Sequence, residues 1–183
     1  MRNSKKQIRK ELLDRLNNQA RDEAFRKSSI IKGKLFSMPE FKNAKIVMLY
    51  VSMSGEVDTG DMIDEALRAG KRVALPRCRS QETIVPKEIS DRKNDLEKSI
   101  YGIYEPKKHK KDIKPETIDL FVVPGVAFDK ENRRLGRGKG YYDKFLGKLP
   151  PGKLTIGLAF DLQMTENLPC DSHDIPVSKI ITN

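Results

Sequence analysis

Asp119 to Leu146 reads DLFVVPGVAFDKENRRLGRGKGYYDKFL. Its opening segment, DLFVV, carries a short, continuous apolar run after Asp119, as in a strand buried on both faces of a parallel sheet. Its close, from Tyr141 on, predicts a helix running to Leu149. Between them Gly136, Gly138 and Gly140 alternate with Arg137 and Lys139. A buried strand, a glycine-rich loop and a helix in that order form one step of a layered α/β protein.

The flanking sequence repeats this pattern. Upstream, Ile46 to Val51 (IVMLYV) is a second buried-strand run. Asp58 is placed to cap a helix that carries Met62, Ile63, Ala66 and Leu67 and ends at Gly70. Arg72 to Leu75 is a further strand, ending before Pro76. Downstream, Thr155 to Phe160 and Lys179 to Thr182 are strand expectations. Two helices precede the first strand. One spans residues 4 to 18, capped by Ser4, with Ile8, Leu12, Leu13 and Leu16 on one face. The other runs from Asp22 to Ser37, with Pro39 closing it. Residues 77 to 116 are less regular; 83 to 89 suit a strand, and 106 to 114 (PKKHKKDIK) reads as a solvated loop. The expected fold is α/β, a three-layer Rossmann-like arrangement with a mostly parallel sheet flanked by helices. No repeat or linker divides residues 1 to 183, so a single domain is expected.

Composition narrows the function classes. The chain carries 36 Lys plus Arg against 26 Asp plus Glu, a net charge of +10. That charge suits polyanionic partners: nucleic acid, a membrane surface or small phosphorylated substrates. No apolar stretch approaches 18 residues, and the start, MRNSKKQIRKELL, lacks the apolar core of a secretory signal. Cys78 and Cys170 form no CxxC pair, which argues against a disulfide framework or a zinc site. A cytoplasmic location is expected.

The glycine segment is where chemistry is expected. Alternating glycines let backbone amides approach an anion without Cβ interference, and the helix that follows adds free N–H groups at its positive end. Arg133, Arg134, Arg137 and Lys139 supply countercharge for phosphate oxygens. The spacing is neither a Walker A loop nor a dinucleotide fingerprint, because Arg133 and Tyr141 stand where those motifs need glycine. A nucleic-acid module using the N-terminal helix and the lysines of 107 to 114 is the rival from another class. Aromatic residues do not interleave with those basic runs. A sugar-phosphate isomerase of similar fold is the rival among enzymes.

RLGRGKGYYD, after a strand and the VPG-x-AFD turn, resembles the signature of the 5-formyltetrahydrofolate cyclo-ligase family. KKQIRKEL, YVSMSGEVDT and LPCDSHDIPVSKIIT follow the family's order and approximate spacing, so the likeness covers most of the chain. The resemblance implies conversion of 5-formyltetrahydrofolate to 5,10-methenyltetrahydrofolate with ATP as co-substrate and Mg²⁺ as cofactor, releasing ADP and phosphate. It implies that the formyl oxygen attacks the γ-phosphate and that ring closure then expels phosphate. No covalent enzyme nucleophile is needed; positioning and charge stabilisation suffice.

Carried onto this chain, the resemblance places ATP on Lys5, Lys6, Gln7, Ile8 and Arg9, and on Arg134, Leu135, Gly136, Arg137, Gly138, Lys139, Gly140, Tyr141 and Tyr142. It places the folate on Val51, Glu56, Arg137, Gly138, Lys139, Gly140 and Tyr141. Arg137, Lys139 and Tyr141 are the residues expected to act in catalysis, and Asp143 and Asp174 to hold Mg²⁺. A carboxylate such as Glu56 can accept paired hydrogen bonds from the amino-pyrimidinone edge of a pterin. Tyr101 or Tyr104 is expected to stack near the substrate. Where the family commonly has glycine this chain has Asn132, which tolerates a left-handed turn, and Lys144 replaces a frequent arginine. The expected partners are ATP and a 5-formyltetrahydrofolate that carries one or several glutamates, with no specific nucleic acid and no membrane. A monomer is expected.

Overall fold

The computed structural model describes residues 4–79, 83–99 and 102–183. Its helices are α1 (Lys5–Asn17), α2 (Arg21–Ser37), α3 (Pro39–Asn43), α4 (Gly60–Arg68) and α5 (Tyr141–Leu146). Its strands begin with β1 (Ile46–Met48), β2 (Arg72–Arg79), β3 (Thr83–Ile89), β4 (Leu96–Lys98) and β5 (Tyr104–Pro106). They continue with β6 (Leu120–Val123), β7 (Ala127–Asp129), β8 (Arg134–Leu135), β9 (Leu154–Ala159), β10 (Met164–Thr165) and β11 (Lys179–Thr182).

The main sheet has the order β11-β9-β6-β1-β2-β3. Its strands are parallel except β3, which pairs antiparallel with β2 at one edge. Buried runs such as Leu120–Val123 serve both faces at once, as the sequence predicts. Val47, Leu120, Val122, Ile156 and Leu158 point into a core closed by Ile31 and Leu35 of α2, Phe41 of α3, and Met62, Ile63 and Ala66 of α4. Their neighbours Ile46, Met48, Phe121 and Val123 point the other way, against Phe128 and against Phe145 and Leu146 of α5. This period-2 alternation gives helix, sheet and helix in three layers. Each fully buried Leu or Ile contributes about 1.5–3 kcal/mol, so the two cores dominate the stability.

A smaller sheet of β10-β7-β8 carries the turn before the glycine loop, and α1 packs on it through Leu12 against Val126, Ala127 and Leu135. β4 and β5 form a separate two-stranded ribbon.

Several expectations change at their boundaries. The strand β1 stops at Met48; Leu49 stays in the core, and Tyr50 and Val51 beyond it line a crevice. β2 does not end at Pro76 but runs to Arg79. Beyond Ala74 it leaves β1 and pairs only with β3, where Pro76 faces Pro86 and the missing N–H groups break no parallel ladder. Pro39 both ends α2 and starts α3, since proline at the first helical position forfeits no hydrogen bond. The cap of α4 is Thr59, whose hydroxyl turns to the Tyr50 carbonyl; Asp58, one residue earlier, accepts from the Gly60 amide at 2.9 Å. Residues 111–113 are no solvated loop. Lys87, buried in β3, donates to the Lys110 carbonyl at 2.6 Å and pairs with Asp112, and Ile113 donates to the Pro86 carbonyl.

From β1 the chain crosses through α4 to β2 on one side, whereas β6 returns on the other side of β1. The order therefore reverses between β1 and β6. In open parallel sheets a ligand crevice opens beyond the strand ends at such a reversal.

Candidate functional site

At that reversal lies a cavity of about 300 Å³. Tyr50 and Val51 beyond β1, Pro124 and Gly125 beyond β6, and Pro76 and Cys78 of β2 form its walls, and the glycine loop closes it. Within it the structure brings together Val51, Glu56, Arg134, Gly136, Arg137, Lys139, Gly140, Tyr141, Tyr142 and Asp143.

The turn that leads into the glycine loop is built on Asp129, a fully buried carboxylate. It accepts from the backbone amides of Glu131, Arg133 and Leu168, and from Arg133 Nε at 2.7 Å. Asn132 takes the left-handed conformation at φ 59°, as its short side chain allows. No role was assigned to Asp129 from sequence, although an aspartate two and four residues ahead of the amides it caps is an Asx-turn signal.

Arg134 then enters the cavity almost fully buried. Its Nη2 donates to Asp143 Oδ1 at 2.7 Å and its Nη1 to the Pro124 carbonyl at 3.3 Å, and its guanidinium lies 5.6 Å from the centre of the Tyr142 ring. A Cβ at Gly136 would meet Arg134 Nη1 at 2.8 Å, so a larger residue there would have to shift that cation. Gly138 and Gly140 have φ of 101° and 70°, conformations that other residues adopt only with strain. On the opposite wall Gln163 bonds the Gly125 carbonyl at 2.7 Å, a support that no sequence signal betrayed.

Two contacts tie the glycine loop to distant segments. Arg9 Nε of α1 donates to the Gly136 carbonyl at 2.8 Å. Arg137 donates from Nε to Glu56 Oε1 at 3.0 Å and from Nη2 to the Ser54 carbonyl at 2.8 Å. Glu56 is held in turn by the Met53 amide on its other oxygen. The anion loop and the acidic loop after β1 are thereby joined across the mouth of the cavity.

The N-terminal helix is used on one side only. Lys5 and Arg9, one turn apart, face the protein, whereas Lys6 and Gln7 are exposed. Ile8 packs with the Leu12 cluster. Lys5 Nζ pairs with Asp171 at 2.7 Å and with Asp174. Burial opposes the charge on Lys5, but these two carboxylates outweigh it and raise its pKa. Asp174 is likewise shifted upward by burial, yet the Asp171 amide and Lys5 hold it below the usual carboxylate range. Ligand atoms of Asp171, His173 and Asp174 lie within 4.8 Å of one another. Asp143 stays on the cavity side of this segment, where the Ile175 amide approaches its Oδ1 at 3.4 Å.

The remaining wall is less polar. Burial pushes the Cys78 thiol up, Glu105 adds to the shift, and Lys139 and Arg77 oppose it. Glu105, buried, accepts from the Cys78 amide at 3.1 Å. Burial also pushes the Tyr142 phenol up, with the Glu56 charge acting in the same direction and Arg134 against it. Tyr104 stands at the cavity edge, 57% exposed, while Tyr101 lies outside the described residues.

The sequence profile of the 5-formyltetrahydrofolate cyclo-ligase family matches residues 1–183. The mouse 5-formyltetrahydrofolate cyclo-ligase is 31% identical over 97% of this chain and 93% of its own length. The Escherichia coli K12 enzyme of the same name is 33% identical over 81% of this chain and 84% of its own. The solution structure of Aquifex aeolicus 5,10-methenyltetrahydrofolate synthetase superposes with a TM-score of 0.87 at 38% identity, covering 97% of this chain and 89% of that one. The Mycoplasma pneumoniae synthetase gives 0.80 at 27% identity, covering 98% of both chains. The basic glycine loop, the reversal-point cavity and the tail that meets α1 are therefore those of a member of the 5-formyltetrahydrofolate cyclo-ligase family.

Proposed function

We propose that this protein converts 5-formyltetrahydrofolate and ATP to 5,10-methenyltetrahydrofolate, ADP and phosphate, with Mg²⁺ as cofactor. The observation that carries the proposal is the Arg137–Glu56 contact, which puts an anion-binding loop and a pterin-type carboxylate at the mouth of one cavity. The enclosed volume suits a bicyclic ring rather than two whole substrates. The pterin then occupies the cavity beside Val51, Glu56 and Tyr141, and the nucleotide comes from the side of Lys5 and Arg9 onto the glycine loop that closes the cavity.

The formyl group on N5 is amide-like, a poor electrophile with a poor leaving oxygen. Its oxygen attacks the γ-phosphorus while the bond from that phosphorus to the β,γ-bridging oxygen breaks and ADP leaves. N10 then attacks the activated formyl carbon and loses its proton to solvent. The C–O bond breaks, so phosphate departs with the formyl oxygen, leaving the methenyl bridge. Arg137 and Lys139 act by placing positive charge beside the phosphoryl oxygens, where negative charge gathers, and Tyr141 by bordering both substrates.

The residues present fit Mg²⁺, a cation that takes oxygen ligands and retains waters. Asp143 lines the cavity and accepts from Arg134 and the Ile175 amide on Oδ1, and Asp174 stands in the acidic turn just before Ile175. These two aspartates would hold the metal, which supplies charge neutralisation on the phosphates. The remaining features of the proposal are a monomer acting in the cytoplasm on soluble polyanions drawn in by the net charge of +10.

The test is direct. Purified protein is mixed with 5-formyltetrahydrofolate, ATP and Mg²⁺, and the near-ultraviolet band of the methenyl product is followed. A signal that vanishes when ATP or metal is withheld is the expected result. A flat trace from a folded protein that binds ATP would overturn the folate assignment.

A further inference from the structure

The Tyr142 hydroxyl is buried and has no hydrogen-bond partner among the described residues. A buried polar group left unpaired destabilises a folded protein, so one that persists at a cavity wall points to a ligand. Three surroundings say which kind. The ring belongs to the first turn of α5 and lines the same cavity as Glu56. Arg134, itself buried with Nε unpartnered, lies over the ring face and favours the phenol as a donor. Glu56 already accepts from Arg137 and from the Met53 amide, so the hydroxyl is free to serve an acceptor on the ligand.

We propose that the Tyr142 hydroxyl is the donor that reads the carbonyl oxygen on the pyrimidinone ring of the folate substrate, beside the edge that Glu56 reads. This deepens the function proposed above and rests on it. On that ring the N–H and amino group that suit a carboxylate sit next to a carbonyl, which needs a donor of its own. Glu56 alone satisfies the first pair. Glu56 and Tyr142 together satisfy all three atoms and distinguish an oxo-pterin from a 4-amino-pteridine, whose corresponding edge offers an amino group and a bare ring nitrogen. The assignment concerns the side chain only; the backbone of Tyr142 stays available to the nucleotide loop. The Tyr142 side chain is thus a specificity determinant for the folate, while its backbone belongs to the nucleotide loop.

Tyr142→Phe keeps the ring, its packing and the Arg134 contact, and deletes only the hydroxyl. The free variant is expected to melt at or above the wild-type temperature, because an unsatisfied polar group has gone. Its Kd for 5-formyltetrahydrofolate, measured calorimetrically without ATP, is expected to rise about tenfold, the effect of one buried hydrogen bond. Its Kd for a non-hydrolysable ATP analogue, and for the 4-amino analogue of the folate, should each stay within about twofold, the span left when no hydrogen bond is lost. Equal weakening toward the oxo and 4-amino compounds would overturn the assignment, as would weakening confined to the nucleotide or no change at all. A wild-type protein that fails to bind 5-formyltetrahydrofolate would overturn the function itself, and the role of Tyr142 with it.

Discussion

Arg137 and Glu56, 81 positions apart in sequence, are paired at 3.0 Å in the ligand-free protein. On the proposed function each occupies the group that the other would offer a substrate: the arginine is neutralised by the carboxylate, and the carboxylate is filled by the arginine. Binding of either substrate would loosen this contact, in which the arginine side chain is 35% exposed and the carboxylate 10%.

Arg137→Ala should therefore separate activity from stability. An exposed ion pair is worth about 0–1 kcal/mol, but Glu56 is only 10% exposed and loses its partner, so the melting temperature is expected to fall by several degrees without loss of the fold. Turnover is expected to drop at least about 100-fold, in the range seen for losing a preorganised charge-stabilising donor. Differential scanning fluorimetry beside the methenyl assay checks both; near-wild-type kinetics in the folded variant would remove Arg137 from the machinery.

Asp143→Asn tests the metal role and carries a second signature. Asp143 is the ionic partner of the buried Arg134 cation, and breaking such a pair by removing one member costs about 3–5 kcal/mol. A lower melting point is expected together with a higher Mg²⁺ concentration for half-maximal rate. A lower melting point with an unchanged magnesium titration would leave Asp143 as Arg134's partner and nothing more.

Asp129→Ala should damage the site without touching a substrate. It strands three backbone amides and Arg133, and at about 1–3 kcal/mol for each unsatisfied buried group the loss is several kcal/mol. The turn before the glycine loop is the segment expected to lose protection first in hydrogen exchange. Protection unchanged across residues 129–135 would show that β7 and β8 hold the turn unaided.

Gly138→Ala places a side chain at φ 101° with its Cβ 3.5 Å from the Arg9 guanidinium. Backbone strain of about 1–3 kcal/mol is expected there. Because the strain falls on the loop itself, KM for ATP should rise more than stability falls. An unaltered KM for ATP would separate this glycine from nucleotide binding.

Acid should destabilise the fold over a defined range. A hydrogen-bonded ion pair with Arg92 lowers the pKa of Asp64, and one with Lys87 lowers that of Asp112. Burial pushes Asp95 up, but Lys110, the Ser90 hydroxyl and the Ser90 and Asp91 amides together pull it well below its ordinary value. A carboxylate depressed in the folded state stabilises fully above its unfolded pKa, near 3.9, and loses that contribution as pH falls through the folded value. The melting temperature should thus be level from about pH 7 to 5 and decline below about pH 4. Asp112→Asn should flatten part of that decline; a curve identical to wild type would show that this pair contributes nothing.

Local rules carried the sequence a long way. The apolar runs at 46–51 and 120–123 imply a parallel sheet because only strands covered on both faces are apolar without alternation. The glycine loop and the left-handed Asn132 follow from sterics within a few residues. Ser4 caps α1 as expected, its hydroxyl accepting from the Gln7 amide. Where the reading stopped short, a distant segment had intervened. Lys87 is buried because Asp112 and the Lys110 carbonyl reach it, and β2 passes through Pro76 because β3 supplies a partner there.

The sequence alone thus determined the layering, the strand that feeds the glycine loop and the type of ligand that loop suits. These depend on periodicity, chirality and charge, which act between near neighbours. The tertiary structure decided which cations meet which carboxylates: Arg137 with Glu56, Arg134 with Asp143, and Lys5 with Asp174 across 169 positions. It also decided that the Tyr142 hydroxyl, on a residue of the cavity wall, would have no partner among the described residues. Such pairings are set by where the chain reverses between β1 and β6, because loop closure brings side chains together irrespective of their separation along the chain.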